Sequence, residues 1–88
     1  MRTTSKPTLL DVRTPQEFAE QHVAGAINIP LDQLSARMQE LIDLPRPIIA
    51  YCRSGNRSGM AVSMMNQNGI SDAMNGGGIA DMLQAMND

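Results

Sequence analysis

Five consecutive residues, Ile48–Cys52 (IIAYC), carry no charge and lie between Pro47 and Arg53. A short, continuous apolar run has no polar side to turn toward water, so it predicts a strand buried on both faces. Such a strand belongs in the middle of a parallel sheet covered by helices. The neighbouring segments agree. Thr8–Arg13 (TLLDVR) reads as another short buried strand. Thr14, Pro15 and Glu17 supply an N-cap, a first helical residue and the acid of a capping box, so a short helix follows through Phe18 and Ala19 and stops near Gly25. Ala26–Pro30 (AINIP) is a further strand, closed by a proline that cannot continue a ladder. Leu31, Leu34, Met38, Leu41 and Ile42 fall on one helical stripe, which Leu44–Pro47 (LPRP) breaks. A helix begins near Arg57, with Met60, Ala61, Met64 and Met65 as its apolar face, and Asn66–Gly69 ends it with glycine. Ala73–Asn75 is a last short strand and Gly76–Gly78 a permissive turn. Ile79, Met82, Leu83 and Met86 then repeat at helical spacing. Alternating strands and helices predict an α/β fold, a parallel β-sheet flanked by helices on both faces.

The length, 88 residues, suits one domain over residues 1–88, with residues 1–7 as a short flexible lead. Phe18 and Tyr51 are the only aromatics, and eight methionines fill the core in their place. A net charge of −2 argues against a nucleic-acid partner, which needs a basic stripe. No stretch is long and apolar enough to span a bilayer, so no membrane partner is expected. One cysteine and one histidine, His22, are too few for a Cys/His zinc site, and no metal or cofactor is expected.

The single cysteine is followed by Arg53, Ser54, Gly55, Asn56 and Arg57. It stands at the carboxyl end of the central strand, where open α/β sheets bind ligands. The loop offers backbone N–H groups that can curl around the thiol where glycine relaxes the turn. The next helix points its positive end at the same place, and two arginines add charge. A cysteine in such surroundings has its pKa lowered from about 8.5 to roughly 3.5–7.5. A strand-end cysteine alone is more often an inert buried residue. The glycine, the two arginines and the helix start favour a thiolate, which in a ring of donors can also hold a second, anionic sulfur.

The segments Leu9–Pro30 (LLDVRTPQEFAEQHVAGAINIP), Tyr51–Gly59 (YCRSGNRSG) and Asn75–Leu83 (NGGGIADML) together resemble the signatures of the rhodanese sulfurtransferase family, in family order. The compact form is most similar to the small bacterial single-domain rhodaneses of the phage shock protein E type. The resemblance implies a reaction: Cys52 takes the outer sulfur of thiosulfate or a related donor as a persulfide and passes it to cyanide or a thiol. It implies that Arg53, Ser54, Gly55, Asn56 and Arg57 cradle that sulfur, with Arg57 favoured over Arg53 for holding the anionic donor. Asp11 and Arg13 read as a structural pair near the sheet end, and His22 as a hydrogen-bonded turn residue rather than a base. The family's glycine signature is commonly followed by an aromatic. Met82 or Leu83 stands there instead, which is expected to loosen the packing of the last helix.

Tyrosine-type phosphatases and arsenate reductases also hold a thiolate in an anion-binding loop. The phosphatase loop places five residues between its cysteine and arginine; this chain has four between Cys52 and Arg57, a tighter cradle better suited to sulfur. A persulfide carrier, or a rhodanese-like module that only binds, are the alternatives nearer to the main reading. A protein acceptor for the sulfur is a possible partner, and a monomer is expected, with a dimer as the alternative. No signal peptide shows in MRTTSKP, so the expected location is periplasmic after removal of a leader and cytoplasmic otherwise.

Overall fold

The computed structural model describes residues 7–87 of the chain. Residues 1–6 of the expected lead lie outside the described residues. Four strands, β1 (Thr8–Asp11), β2 (Ile27–Asn28), β3 (Ile48–Cys52) and β4 (Ala73–Gly78), form one parallel sheet in the order β2-β1-β3-β4. Four helices, α1 (Pro15–Glu20), α2 (Met38–Ile42), α3 (Asn56–Gln67) and α4 (Ile79–Asn87), alternate with the strands. The chain steps outward from β1 to β2 and then returns to β3 on the other side of β1. The carboxyl ends of β1 and β3 therefore flank the point where strand order reverses, the place where such sheets open a ligand crevice.

The expected central strand is β3, and its two faces feed two separate cores. Ile48, Ala50 and Cys52 join Leu10, Val12, Leu34, Leu41, Ala61, Met65 and Ile70 on the face covered by α2 and α3. Tyr51 and Ile49 turn the other way, toward Leu9, Val23, Ile79, Met82 and Leu83, under α4. Period-two alternation along one apolar strand thus supplies both layers. The second layer is the thinner one. Within it the fully buried Tyr51 is satisfied by a hydrogen bond from the Val23 N–H to its hydroxyl at 3.1 Å. Burial pushes the Tyr51 hydroxyl up to about 12, so it stays neutral.

The capping box before α1 forms as expected: the Glu17 N–H donates to Thr14 Oγ1 and the Thr14 N–H donates to Glu17 Oε1. The expected helix over Leu31–Ile42 does not form as one piece. Two 3-10 turns, Leu31–Gln33 and Ser35–Arg37, precede the five-residue α2. The Leu31 N–H donates to Val12 O at 3.0 Å at its start, and the helical path is interrupted at Arg37, whose φ of −114 and ψ of 22 lie outside helical geometry just before α2. Leu34, Met38 and Leu41 still reach the core, but Ile42, about 100° round the helix from Leu41, is exposed. In α3 the expected apolar face holds at Ala61, Met64 and Met65, which pack in the core, but not at Met60. Met60 is exposed, and the buried positions are Ser58, Ala61 and Met65. In α4, Met82 is buried against the sheet, while the side chain of Met86, last of the expected stripe, lies outside those described.

The largest departure is at Gly76–Gly78, which is strand rather than turn. Asn75 pairs with Ala50 and Gly78 with Cys52, so Gly76 and Gly77 stand opposite the single residue Tyr51 as a bulge. The glycines are required by contact. A Cβ on Gly76 would lie 2.7 Å from Met82 Sδ and 2.9 Å from Ile49 Cγ2, and one on Gly78 would lie 2.5 Å from the Arg53 carbonyl oxygen. Gly77 has φ +88. Gly78→Ala therefore forces two backbones apart and should destabilise by about 1–3 kcal/mol, as overpacking does. Gly59→Ala places its Cβ 3.4 Å from a side-chain atom inside a helix and should be neutral or stabilising. Urea midpoints of the two variants against the parent check the contrast.

Candidate active site

Cys52 ends β3 and is 1% exposed. The chain then turns through Gly55, whose φ of +98 places it in the left-handed region and makes it the N-cap of α3. The helix begins at Asn56, one residue earlier than expected. The first N–H groups of a helix have no partner within it. Here they find the sulfur. The Gly55 N–H donates to Cys52 Sγ at 3.0 Å and the Ser58 N–H at 3.4 Å. The Ser58 hydroxyl lies 3.4 Å from the same sulfur. Burial pushes the thiol up, but the Ser58 hydroxyl and the N–H groups of Ser58, Ser54 and Gly55 outweigh it. The net effect draws Cys52 from 9.0 down to about 7. A ring of aimed dipoles, with the positive end of a 12-residue helix behind it, supports the anion.

The arginines serve differently from one another. Arg57 makes a bidentate pair with Glu17 of α1, at 2.8 and 3.1 Å. The Arg57 guanidinium and the Thr14 cap together hold the Glu17 carboxyl down at about 2. Glu17 therefore belongs both to the capping box of α1 and to the wall of the loop, and α1 is strapped to α3 through it. Arg53 is exposed and makes no side-chain hydrogen bond among the described residues. It lines a shallow cleft of about 530 Å³ with Arg13, Glu17, Glu20, Gln21 and Ile79. On the other side of the Glu17–Arg57 pair, Arg57 borders a cleft of about 320 Å³ with Val12, Thr14, Pro30, Leu31 and Asp32. Ser54 and Asn56 are exposed; Ser54 contributes its backbone N–H to the ring, and no bond joins Asn56 to the sulfur.

Asp11 and Arg13 form the expected pair at the end of β1. Arg13 Nη2 donates to Asp11 Oδ2 at 2.6 Å and to Gln21 O at 2.6 Å. The Asp11 carboxylate holds the Arg13 guanidinium above its ordinary range, and that guanidinium lies 5.8 Å over the Tyr51 ring. His22 stacks on Phe18 at 3.8 Å and its Nδ1 meets Phe18 O at 2.8 Å, so it is the turn residue the sequence suggested.

Two residues of the site escaped the sequence reading. Ser58 is fully buried against the sulfur, and Asn75 of β4 bridges to the loop. Positions 58, 61 and 65 recur at helical spacing, so the stripe itself carried the signal for Ser58. Nothing local marked Asn75, which reaches the loop only through strand pairing. The thiol at about 7 gives the first functional expectation. The rate of Cys52 alkylation by iodoacetamide should rise with pH to a midpoint near 7, because the thiolate dominates above it; a midpoint near the ordinary 9.0 would contradict the ring of donors. The Glu17–Arg57 pair gives a second. A carboxyl lowered from 4.5 to about 2 adds stability that is full above pH 4.5 and lost as pH falls through 2. Acid titration of unfolding should show Glu17→Gln losing that dependence between those two values.

The Rhodanese-like domain family profile matches residues 1–83 of the chain. The thiosulfate sulfurtransferase PspE of Escherichia coli (strain K12) is 35% identical over 74 residues, covering 83% of this chain and 71% of that protein. The uncharacterized protein YqhL of Bacillus subtilis (strain 168) is 43% identical over 70 residues, 80% of this chain, and the chain spans only 55% of its length. Among solved structures, a rhodanese with anions from E. coli superposes with a TM-score of 0.77 at 34% identity, covering 86% of this chain and 91% of that one. With the fold, the cysteine loop and these likenesses in agreement, the chain belongs to the rhodanese-like domain family.

Proposed function

We propose that this domain is a sulfurtransferase that moves a sulfane sulfur from thiosulfate or a related donor to a thiophilic acceptor through a persulfide on Cys52. The observation that carries this reading is the donor ring around Sγ, with N–H groups at 3.0 and 3.4 Å at the start of a helix. The Cys52 thiolate attacks the outer sulfur of thiosulfate. The sulfur–sulfur bond of the donor breaks, and sulfite leaves with its electron pair. The negative charge now sits on the outer sulfur of the persulfide. Cyanide or a thiolate attacks that atom, the bond to Sγ breaks, and the Cys52 thiolate returns. Electrons balance within the two transfers, and no external oxidant or metal enters.

The donor is a dianion, so a cation has to meet it at the mouth. The sequence favoured Arg57 for this. The pairing of Arg57 with Glu17 instead supports Arg53, exposed on the cleft, as the first contact, with Arg57 as a fixed charge behind the loop. In this family the name of one relative is thiosulfate sulfurtransferase, which supports thiosulfate as the donor to test first. A protein thiol as the acceptor would make the same chemistry that of a sulfur carrier.

Intact-protein mass spectrometry after brief exposure to thiosulfate, and again after cyanide, tests the proposal. The expected result is a gain of one sulfur atom on Cys52 that cyanide removes, and its absence in Cys52→Ser. No gain from thiosulfate or from other sulfane donors would overturn the reading. Arg53→Ala is expected to raise KM for thiosulfate about tenfold with a smaller change in kcat, the mark of lost binding of the anion. Unchanged steady-state constants would remove Arg53 from donor binding.

A further inference from the structure

Ser58 is fully buried, and its hydroxyl has two neighbours that can each take its proton. Asn75 Oδ1 lies 2.7 Å away, and Cys52 Sγ lies 3.4 Å away. A hydroxyl has one proton to donate, so it serves one of these at a time. The amide of Asn75 is fixed in orientation. Its Nδ2 donates to Gly55 O at 3.1 Å, which leaves Oδ1 facing Ser58. That oxygen also accepts the Gly77 N–H at 2.9 Å, so it keeps a partner when the hydroxyl turns away. The two positions of the hydroxyl are therefore both free of an orphaned polar group.

We propose that the Ser58 hydroxyl is a two-position hydrogen-bond switch, donating to Asn75 when Cys52 is a thiol or a persulfide and to Sγ when Cys52 is a thiolate, with Asn75 as the positioning residue that sets the balance. When Cys52 is a thiol, its S–H donates to Ser58 Oγ and the hydroxyl points to Asn75. Loss of that proton leaves Sγ as the stronger acceptor, and the hydroxyl turns to it. In the persulfide, Sγ is bonded twice and neutral, the charge lies on the outer sulfur, and the hydroxyl returns to Asn75. During sulfur release the bond between Sγ and the outer sulfur breaks, and its electron pair goes to Sγ. The hydroxyl then meets the growing charge, an interaction made in the transition state and not in the persulfide. The switch rests on Cys52 acting through a persulfide only in this last step.

The charged groups around the loop are largely occupied. Arg57 is paired with Glu17, Arg13 with Asp11, and Asp81 of α4 accepts the Gly78 N–H at 3.3 Å. Arg53 is exposed and makes no side-chain hydrogen bond among the described residues. None of these groups hydrogen-bonds to Sγ among the described residues, so the Ser58 hydroxyl is the one side-chain donor at hydrogen-bond distance of the sulfur.

The pH midpoint of Cys52 alkylation by iodoacetamide, measured for the parent, S58A, N75D and the S58A/N75D double variant, tests the switch, with circular dichroism confirming that each is folded. S58A should raise the midpoint by on the order of one pH unit, the size of one charge-assisted hydrogen bond. N75D keeps the acceptor oxygen but makes it a carboxylate that holds the hydroxyl. It should raise the midpoint more in the parent than in the S58A background, where only its charge acts. Equal shifts in both backgrounds, or no shift in S58A, would overturn the switch. Should N75D not fold, S58A alone decides through rates measured above both midpoints. Cyanide should then take sulfur from the persulfide about tenfold more slowly, with persulfide formation not slowed. Equal slowing of both steps would also overturn it. Alkylation requires no sulfur transfer, so a midpoint that moves as expected in a protein that forms no persulfide would sink the sulfurtransferase reading and leave the switch at the thiol standing.

Discussion

The end of β4 and the start of the cysteine loop touch backbone to backbone, and the site depends on that contact. Gly78 pairs with Cys52, and a Cβ at Gly78 would fall 2.5 Å from the Arg53 carbonyl oxygen. Only a residue without a side chain lets the strand come this close. The contact fixes where the loop leaves the sheet. The bulge at Gly76 and Gly77 then sets Asn75 back beside Ala50, where its amide reaches Gly55 and Ser58. Gly55, held through its carbonyl by Asn75, turns its N–H onto the sulfur. A run of three glycines thus works as a ruler for the thiol rather than as a hinge.

The electrostatics follow from the same frame. Formal charges around the site are largely paired with one another: Asp11 with Arg13, and Glu17 with Arg57. These pairs fix the positions of the strand end and the loop, and the Glu17–Arg57 pair also adds the pH-dependent stability described above. What remains for the sulfur is a set of dipoles at fixed distances, from the Ser58 hydroxyl and the N–H groups of Gly55 and Ser58. The two N–H groups are already aimed and need no rearrangement when charge arrives or leaves, and only the Ser58 hydroxyl has to turn, which suits an atom that alternates between anion and neutral sulfide. The Glu17–Arg57 pair adds a mechanical function. It joins the short α1, which buries no residue of its own, to the helix that carries the donors.

Much of this was legible in the chain. IIAYC gave the central strand because no arrangement but burial on both faces suits it, and Thr14–Glu17 gave the start of α1 because the capping box is closed by residues three apart. The cysteine loop was legible because glycine, arginines and a helix start follow the thiol directly. The helix expected over Leu31–Ile42 broke up at Arg37, whose φ of −114 and ψ of 22 interrupt the helical path before α2. Met60 was placed inward by its hydrophobicity, yet it faces solvent, and Ser58 took an inward place because a polar partner, the sulfur, was waiting there.

The sequence alone determined the alternation of strands and helices, the placing of Cys52 at the end of the central strand and the identity of the loop around it. These depend on periodicity and on neighbours within a few residues. Tertiary structure decided that Gly76–Gly78 is a strand, that Arg57 faces Glu17 while Arg53 faces the cleft, and that Ser58 and Asn75 share the sulfur's surroundings. Apart from Ser58, which lies six positions from Cys52 and was marked by its helical stripe, each of these is a contact between residues 17 to 40 positions apart. Such contacts exist only once the sheet order has brought distant strand ends together, and local pattern carries no record of them.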